Sequence, residues 1–271
     1  MDEAIAWPLL LGVLGLVFGS FIATVAIRWP QGRSALSGRS MCDACGATLK
    51  AHELVPVASY LVQRGRCRSC GAAIAPGHLI VELAGGAIGI AAGLLAPGWE
   101  GAAGALFGWL LLALGTIDLA AFWLPNELTG ALALGGVATG LLHLPPHGPP
   151  LDARLLGGAA GYASLQIVRL AYRALRRREG LGGGDPKLFG AIGLWLGWQA
   201  LAPVLLIACL IGLAAVLAFR LGGRRMRSTD RVPLGVLLAI SAWTFWVGTT
   251  LDYATRPAGP VILLVPQGEV R

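Results

Sequence analysis

The chain has 271 residues, 56% of them hydrophobic and only 13% charged, with a mean hydropathy of +0.70. A soluble domain carries about 25% charged residues, so a water-soluble globular protein is excluded and length does not count soluble domains here. The net charge of +7 would suit a nucleic-acid binder, but the basic residues sit in clusters between apolar segments. That pattern sets orientation in a membrane, so lipid is the expected partner and nucleic acid is not.

The chain opens Met1-Asp2-Glu3 and then runs apolar from Ala4 to Ile27. A cleavable signal has a basic start, a shorter apolar core and a small-residue cleavage site; the acidic start predicts a retained first span. Crossing a bilayer takes about 20 apolar residues. On that basis spans are predicted at 4–27, 78–96, 101–117, 125–143, 152–173, 187–199, 200–220 and 232–250. The sixth is short, and the turn after it is placed at Trp198–Pro203. The expected fold is an all-α polytopic membrane protein of about eight transmembrane helices, with both termini on one side. The 40 glycines are read mostly as sites of close helix packing.

Residues 28–77 form the single sizeable polar insertion, between the first and second spans. At about 50 residues such a unit is marginal without a metal or another staple. The organisation expected is therefore a first helix (1–27), a four-Cys insert (28–77) and a helix bundle (78–271). No internal repeat is evident. The insert carries Cys42-x2-Cys45 and Cys67-x2-Cys70, two knuckles at the spacing of a four-thiolate zinc site. Each is followed by a glycine, Gly46 and Gly71, which permits the tight turn that aims backbone N–H groups at the sulfurs. Four protein ligands leave no open position, so the zinc would be structural. Cys209 lies within an apolar span and reads as a core residue. His143 and His147 read as part of a proline-rich loop, with no acidic or thiol partner close in sequence.

Lys and Arg test the orientation. The 28–77 segment holds seven of them, and the connections near 173–187 and 220–231 hold five each; those at 97–100, 144–151 and 198–203 hold none. Basic loops face the cytoplasm, which puts the insert there and both termini on the opposite side. Disulfides are then unlikely in the insert, because the cytoplasm is reducing.

Acids at or within spans are costly and commonly functional. Asp118 lies at the end of the third span, and Asp185 follows Gly182-Gly183-Gly184 at the mouth of the sixth. Both fall on the cytoplasmic edge. A glycine run lets the backbone bring a carboxylate close to a substrate chain. Glu82, near the start of the second span, is either a packing acid or part of a site.

These residues carry a resemblance. Gly19-Ser20-Phe21 through Arg28-Trp29-Pro30, Gly38-Arg39-Ser40-x-Cys42 with the knuckles and Val55-Pro56, Val81-Glu82-Leu83, Ile117-Asp118-Leu119 through Asn126, Gly182-Gly183-Gly184-Asp185-x-Lys187-Leu188 and Val232-Pro233-Leu234-Gly235 together resemble the bacterial prepilin peptidase (type IV leader peptidase) family. The resemblance implies a membrane aspartyl protease of the inner membrane with Asp118 and Asp185 catalytic. Gly182, Gly183, Gly184, Lys187 and Glu82 would support substrate or site. It implies prepilins or type II secretion pseudopilins as substrates, cut after a glycine at the cytoplasmic surface. In many members S-adenosylmethionine then methylates the new N-terminus. Three positions depart from the family pattern: Ala23 and Glu53 stand where Asn is usual, and Asn126 stands where Asp is common, a place read as a helix cap. The first two bear on methylation rather than on the aspartates.

Peptide hydrolysis by two carboxylates needs one ionised and one protonated. Asp118 at a helix C-terminus would favour the protonated form, and Asp185, read as an N-cap before Pro186, the ionised form. Asp185 is thus expected as the initial base and Asp118 as the initial acid. The rival readings are a transporter using paired acids as a cation relay, and a non-catalytic assembly protein with a zinc-stapled insert.

Overall fold

The computed structural model describes residues 2–35, 39–42, 44–145, 147–223 and 232–256. Gly38, the basic stretch 224–231 and residues 257–271 lie outside the described residues. Within them the chain is helical, with no strand and two isolated β-bridges. In order come α1 (Glu3–Arg28), α2 (Ala58–Val62), α3 (Pro76–Leu95), α4 (Trp99–Ala121), α5 (Asn126–Leu141), α6 (Leu151–Arg176), α7 (Asp185–Leu196), α8 (Leu201–Leu221) and α9 (Leu234–Thr255).

Each of the eight expected spans has a helix, but the helices are not alike. Five of the segments, those of α1, α3, α4, α8 and α9, are long and apolar enough to cross a membrane. Large apolar side chains such as Val13, Leu94 and Leu206 stand more than half exposed on them, a surface that suits lipid rather than water. The protein is a membrane protein. The helix on the sixth expected span, α7, has only 12 residues. At 1.5 Å per residue it reaches about 18 Å, short of a hydrocarbon core of about 30 Å. The chain leaves it at Gly197, whose φ of 79° is left-handed, and a 3-10 turn at Trp198–Ala200 leads into α8. The turn therefore begins one residue earlier than expected, and Pro203 lies inside α8, in its first turn.

Glycine sets the packing. A Cβ on Gly15 would collide with the Gly85 carbonyl, and one on Gly193 with the Gly157 carbonyl, so α1 meets α3, and α6 meets α7, backbone to backbone. Helix α4 is central, packing on α1, α3, α5 and α9. Its Phe107, Leu114 and Ile117 are fully buried. Helix α8 is peripheral, with only Val204 and Ala208 buried. Cys209, next to Ala208, is consequently exposed and is not the core residue expected: one residue turns a helix by about 100°, from bundle to outside.

Among the described residues, Arg154 in α6 is the largest fully buried side chain. Its guanidinium donates to the carbonyls of Pro149 (2.8 Å), Leu144 (3.1 Å) and Gly136 (3.3 Å) and to Thr139 Oγ1 (3.1 Å). The planar fork thus satisfies a connection whose backbone would otherwise lack partners. In the same connection His147 stacks on Tyr253 of α9 with ring centroids 3.9 Å apart.

Candidate active site

Asp118 sits in the last turn of α4, one turn further inside the helix than the sequence suggests, and is 5% exposed. Its Oδ2 accepts the Val236 N–H at 3.1 Å, and the Gly235 N–H also bonds the carboxylate. Both donors lie in the first turn of α9, where backbone N–H groups have no helical partner. Asp118 therefore caps a helix other than its own. Asp185 is the first residue of α7, after the N-cap Gly184, with Pro186 second. Its Oδ2 accepts the Gly182 N–H at 3.0 Å. Leu124 lies against both Gly184, beside Asp185, and Gly235, beside Asp118, so the helix starts that hold two carboxylates far apart in sequence adjoin one another.

This geometry corrects the argument for unequal roles. Asp118 does lie near the negative end of α4, but its carboxylate points at the positive end of α9. Asp185 lies at the positive end of α7. Both carboxylates thus face a helix N-terminus, and helix position does not separate acid from base. Two close carboxylates cannot both ionise cheaply, so the pair titrates as a unit.

The glycines act through space rather than through backbone angle, for none of Gly182, Gly183 and Gly184 has positive φ. A Cβ on Gly184 would lie 2.7 Å from the Leu124 Cβ, and one on Gly235 would lie 2.8 Å from Asp118 Oδ2 and 3.1 Å from Leu124 Cδ2. Leu124 is thus wedged between the two helix starts that hold the aspartates. Gly183 faces the Arg169 guanidinium. Lys187, on the first turn of α7, donates to Asn126 Oδ1 at 2.7 Å. Asn126 is itself the first residue of α5, after the N-cap Pro125, so it ties α5 to α7 and does not cap. Sequence reading missed Gly235, Val236 and Leu124 as parts of the site. The Val232-Pro233-Leu234-Gly235 motif was the signal, since Pro marks a helix start, and the first N–H groups of a helix have no helical partner.

The four cysteines converge. The Sγ atoms of Cys42, Cys45, Cys67 and Cys70 all lie within 4.8 Å of one another, and Cys42 to Cys70 is 3.9 Å. Four sulfurs about 2.3 Å from one tetrahedral ion would stand about 3.8 Å apart, so the group could hold a metal ion. The knuckles are two copies of one turn: Cys42 accepts from Gly46 and donates to Ala47, as Cys67 does with Gly71 and Ala72. Bridges Met41–Thr48 and Arg66–Ala73 close them. Cys-Gly-Ala recurs in 45–47 and 70–72, a short internal repeat that the sequence carries and that the reading of it missed. The N–H groups of Cys70 and then Ser69 hold the Cys67 thiol down at about 7, which prepares a thiolate.

Glu82 belongs to a different place. It is 8% exposed, and its Oε2 accepts the Val57 N–H at 2.8 Å. Val57 has φ 61° and ψ −52°, a strained γ-turn closed by Ala58 N–H to Pro56 O. A β-branched residue at positive φ is a genuine outlier that surrounding structure must hold in place. Of the family departures, Ala23 is buried on α1, and Glu53 accepts the Lys50 N–H at 2.7 Å.

Residues 13–95 match the model described as Bacterial Peptidase A24 N-terminal domain, and residues 105–217 match the Type IV leader peptidase family. A protein of Burkholderia pseudomallei (strain K96243) named prepilin leader peptidase/N-methyltransferase is 40% identical over 266 residues, covering 88% of this chain and 84% of that one. Proteins of the same name from Aeromonas salmonicida (strain A449), 39% identical over 76% of this chain and 69% of its own, and from Dickeya chrysanthemi, 37% identical over 87% and 90%, are also similar. No solved structure matches. Matched in both halves and at this identity, the chain belongs to the type IV leader peptidase family.

Proposed function

We propose that this protein is a membrane aspartyl endopeptidase that removes the leader of type IV prepilins or type II secretion pseudopilins and then N-methylates the new N-terminus. The observation that carries the cleavage reading is the convergence of Asp118 and Asp185 on either side of Leu124, each held by backbone N–H groups. One ionised carboxylate would take a proton from water, and the other would donate to the scissile carbonyl as the tetrahedral intermediate forms. Collapse of that intermediate returns a proton to the leaving amine. A cation relay is not favoured, because the acids sit at helix ends rather than along the middle of spans. The names of the relatives couple the peptidase with an N-methyltransferase, which supports S-adenosylmethionine as the second substrate.

Localisation follows the charge pattern. We place the protein in the inner membrane, with the insert (28–77) cytoplasmic, the catalytic bundle over 78–271 and both termini on the far side. Cys42, Cys45, Cys67 and Cys70 would hold zinc in a closed four-thiolate site that fastens the insert; such a site offers no open position for chemistry. Lys187 and the glycines Gly182, Gly183 and Gly184 support the aspartates by shaping the start of α7. The test is co-expression with a prepilin and mass measurement of the mature N-terminus. Asp118→Ala and Asp185→Ala are each expected to abolish cleavage; normal cleavage by both would overturn the reading.

A further inference from the structure

The chain that delivers Asp185 folds back along its neighbour. Helix α6 ends at Arg176, and Arg177, at φ 52°, reverses the backbone. Residues 177–184 then return over the last two turns of α6. Arg169, Tyr172, Arg173 and Arg176 stand three or four residues apart there and so share one face. Three contacts lie along it. Glu179 sits between two arginines, with Oε2 3.4 Å from Arg169 Nε and Oε1 3.4 Å from Arg173 Nη1. Gly180 lies on the Tyr172 ring, where a Cβ would be 2.4 Å from it, and Arg178 Nε donates to the Tyr172 hydroxyl at 3.1 Å. A Cβ on Gly183 would stand 3.5 Å from Arg169 Nη1 and 3.6 Å from both Cζ and Nη2. Those near-equal distances mean that the guanidinium lies face-on to the Gly183 backbone.

We infer that Arg169, anchored by Glu179, is the positioning residue of Asp185. The inference rests on the cleavage reading and deepens it. The Arg169 side chain is 24% exposed and that of Arg173 is 63% exposed, so the two ion pairs are unequal. An exposed pair contributes little. Arg169 is largely covered, and its Nε is buried without a hydrogen bond, so the Glu179 carboxylate is the charge that offsets it. Without Glu179 the guanidinium is left unpaired and turns out to water, and its plane leaves Gly183. Gly182 donates its N–H to Asp185 Oδ2 at 3.0 Å, and Gly184 is the N-cap of α7; Gly183 lies between them. Glycine has the widest backbone freedom, and three in a row carry no side chain that could pin the loop. The Arg169 plane supplies that restraint from outside. Among the described residues no hydrogen bond or ion pair joins Arg169 to either aspartate, so it acts through the loop.

Initial-rate cleavage of a purified prepilin by the full-length protein in detergent tests this, with kcat and KM resolved separately. Arg169→Ala is expected to lower kcat about tenfold or more, because a misplaced catalytic group slows the chemical step, with KM within about twofold of the unaltered protein. Arg169→Lys keeps the charge but not the plane, and is expected to lower kcat by about threefold or more. Glu179→Gln is expected to do the same. Arg169→Ala and Glu179→Gln combined are expected to lose no more than Arg169→Ala alone, since both act through one contact. Arg176→Ala, on the same face but outside these ion pairs, is expected to cleave as the unaltered protein does. Undiminished kcat in Arg169→Ala, or a change confined to KM, would overturn the inference and leave the aspartates standing. Should Arg169→Ala not fold, undiminished kcat in Arg169→Lys would overturn it instead. Additive losses in the double variant would overturn the anchoring by Glu179, and an equal loss in Arg176→Ala would reduce the effect to net charge and overturn the inference. If the unaltered protein cleaves no prepilin, the cleavage reading fails and the inference with it.

Discussion

Gly235→Ala tests the aspartate site without touching an aspartate. The added Cβ would lie 2.8 Å from Asp118 Oδ2 and 3.0 Å from its Cγ, against 3.4 Å where ordinary contact begins. The carboxylate must move by about 0.6 Å. The bond it accepts from Val236 is already 3.1 Å long, near the upper end of N–H···O distances, so a shift of that size breaks it. Leu124 Cδ2, at 3.1 Å, blocks one route of escape. Overpacking of this kind costs about 1–3 kcal/mol. Misplacing a catalytic group by about 1 Å costs about a hundredfold in rate, so kcat should fall by roughly ten- to a hundredfold. Gly115→Ala is the matched control, one turn before Asp118 on α4. Its Cβ would meet Ala239 Cβ at 3.6 Å, an ordinary contact, and alanine in a helix interior gains about 0.5–1 kcal/mol over glycine. The assay is initial-rate cleavage of a purified prepilin by each variant at matched enzyme concentration. Full activity of Gly235→Ala, or equal loss in Gly115→Ala, would refute the reasoning.

Other outcomes follow from the same coordinates. Asp118→Asn and Asp185→Asn should each reduce cleavage by at least a thousandfold, about 4 kcal/mol of barrier, because an amide can serve neither as base nor as acid; single-turnover measurement separates this from lost substrate binding. Metal occupancy of the insert should fall as pH drops, since protons compete with the metal for the thiolates of Cys42, Cys45, Cys67 and Cys70; metal analysis after dialysis at pH 8 and pH 5 checks it. Arg154→Ala should lower stability by about 3 kcal/mol or more, because it strips carbonyls of Pro149, Leu144 and Gly136 of a shared donor. A thermal melt in detergent measures that loss, and a shift of under a degree would count against the role.

Membrane residence, the helical class and the four-thiol spacing were legible because each is a local property. Apolar runs of bilayer length exclude other folds, and Cys-x2-Cys followed by Gly can adopt few turns. The two aspartates stood out because acids are rare in such runs, and their family pattern named the chemistry. The short sixth span was legible too, but hydropathy averages over windows and put the turn after it at Trp198–Pro203, whereas α7 stops at Gly197 and α8 already contains Pro203.

The sequence by itself determined which groups are present: two acids at helix ends, four thiols at ligand spacing and glycines where helices must touch. Only the tertiary structure decided what those groups face. It turned Asp118 onto the first turn of α9, 117 or more residues along the chain, so a residue at one helix's negative end feels another helix's positive end. It took Glu82 to Val57 and the insert, and set Cys209 on the outside of α8. The physical reason is common to all three. Periodicity and hydropathy are sums over neighbours in sequence, whereas burial, hydrogen bonding and electrostatic field depend on partners brought together by packing.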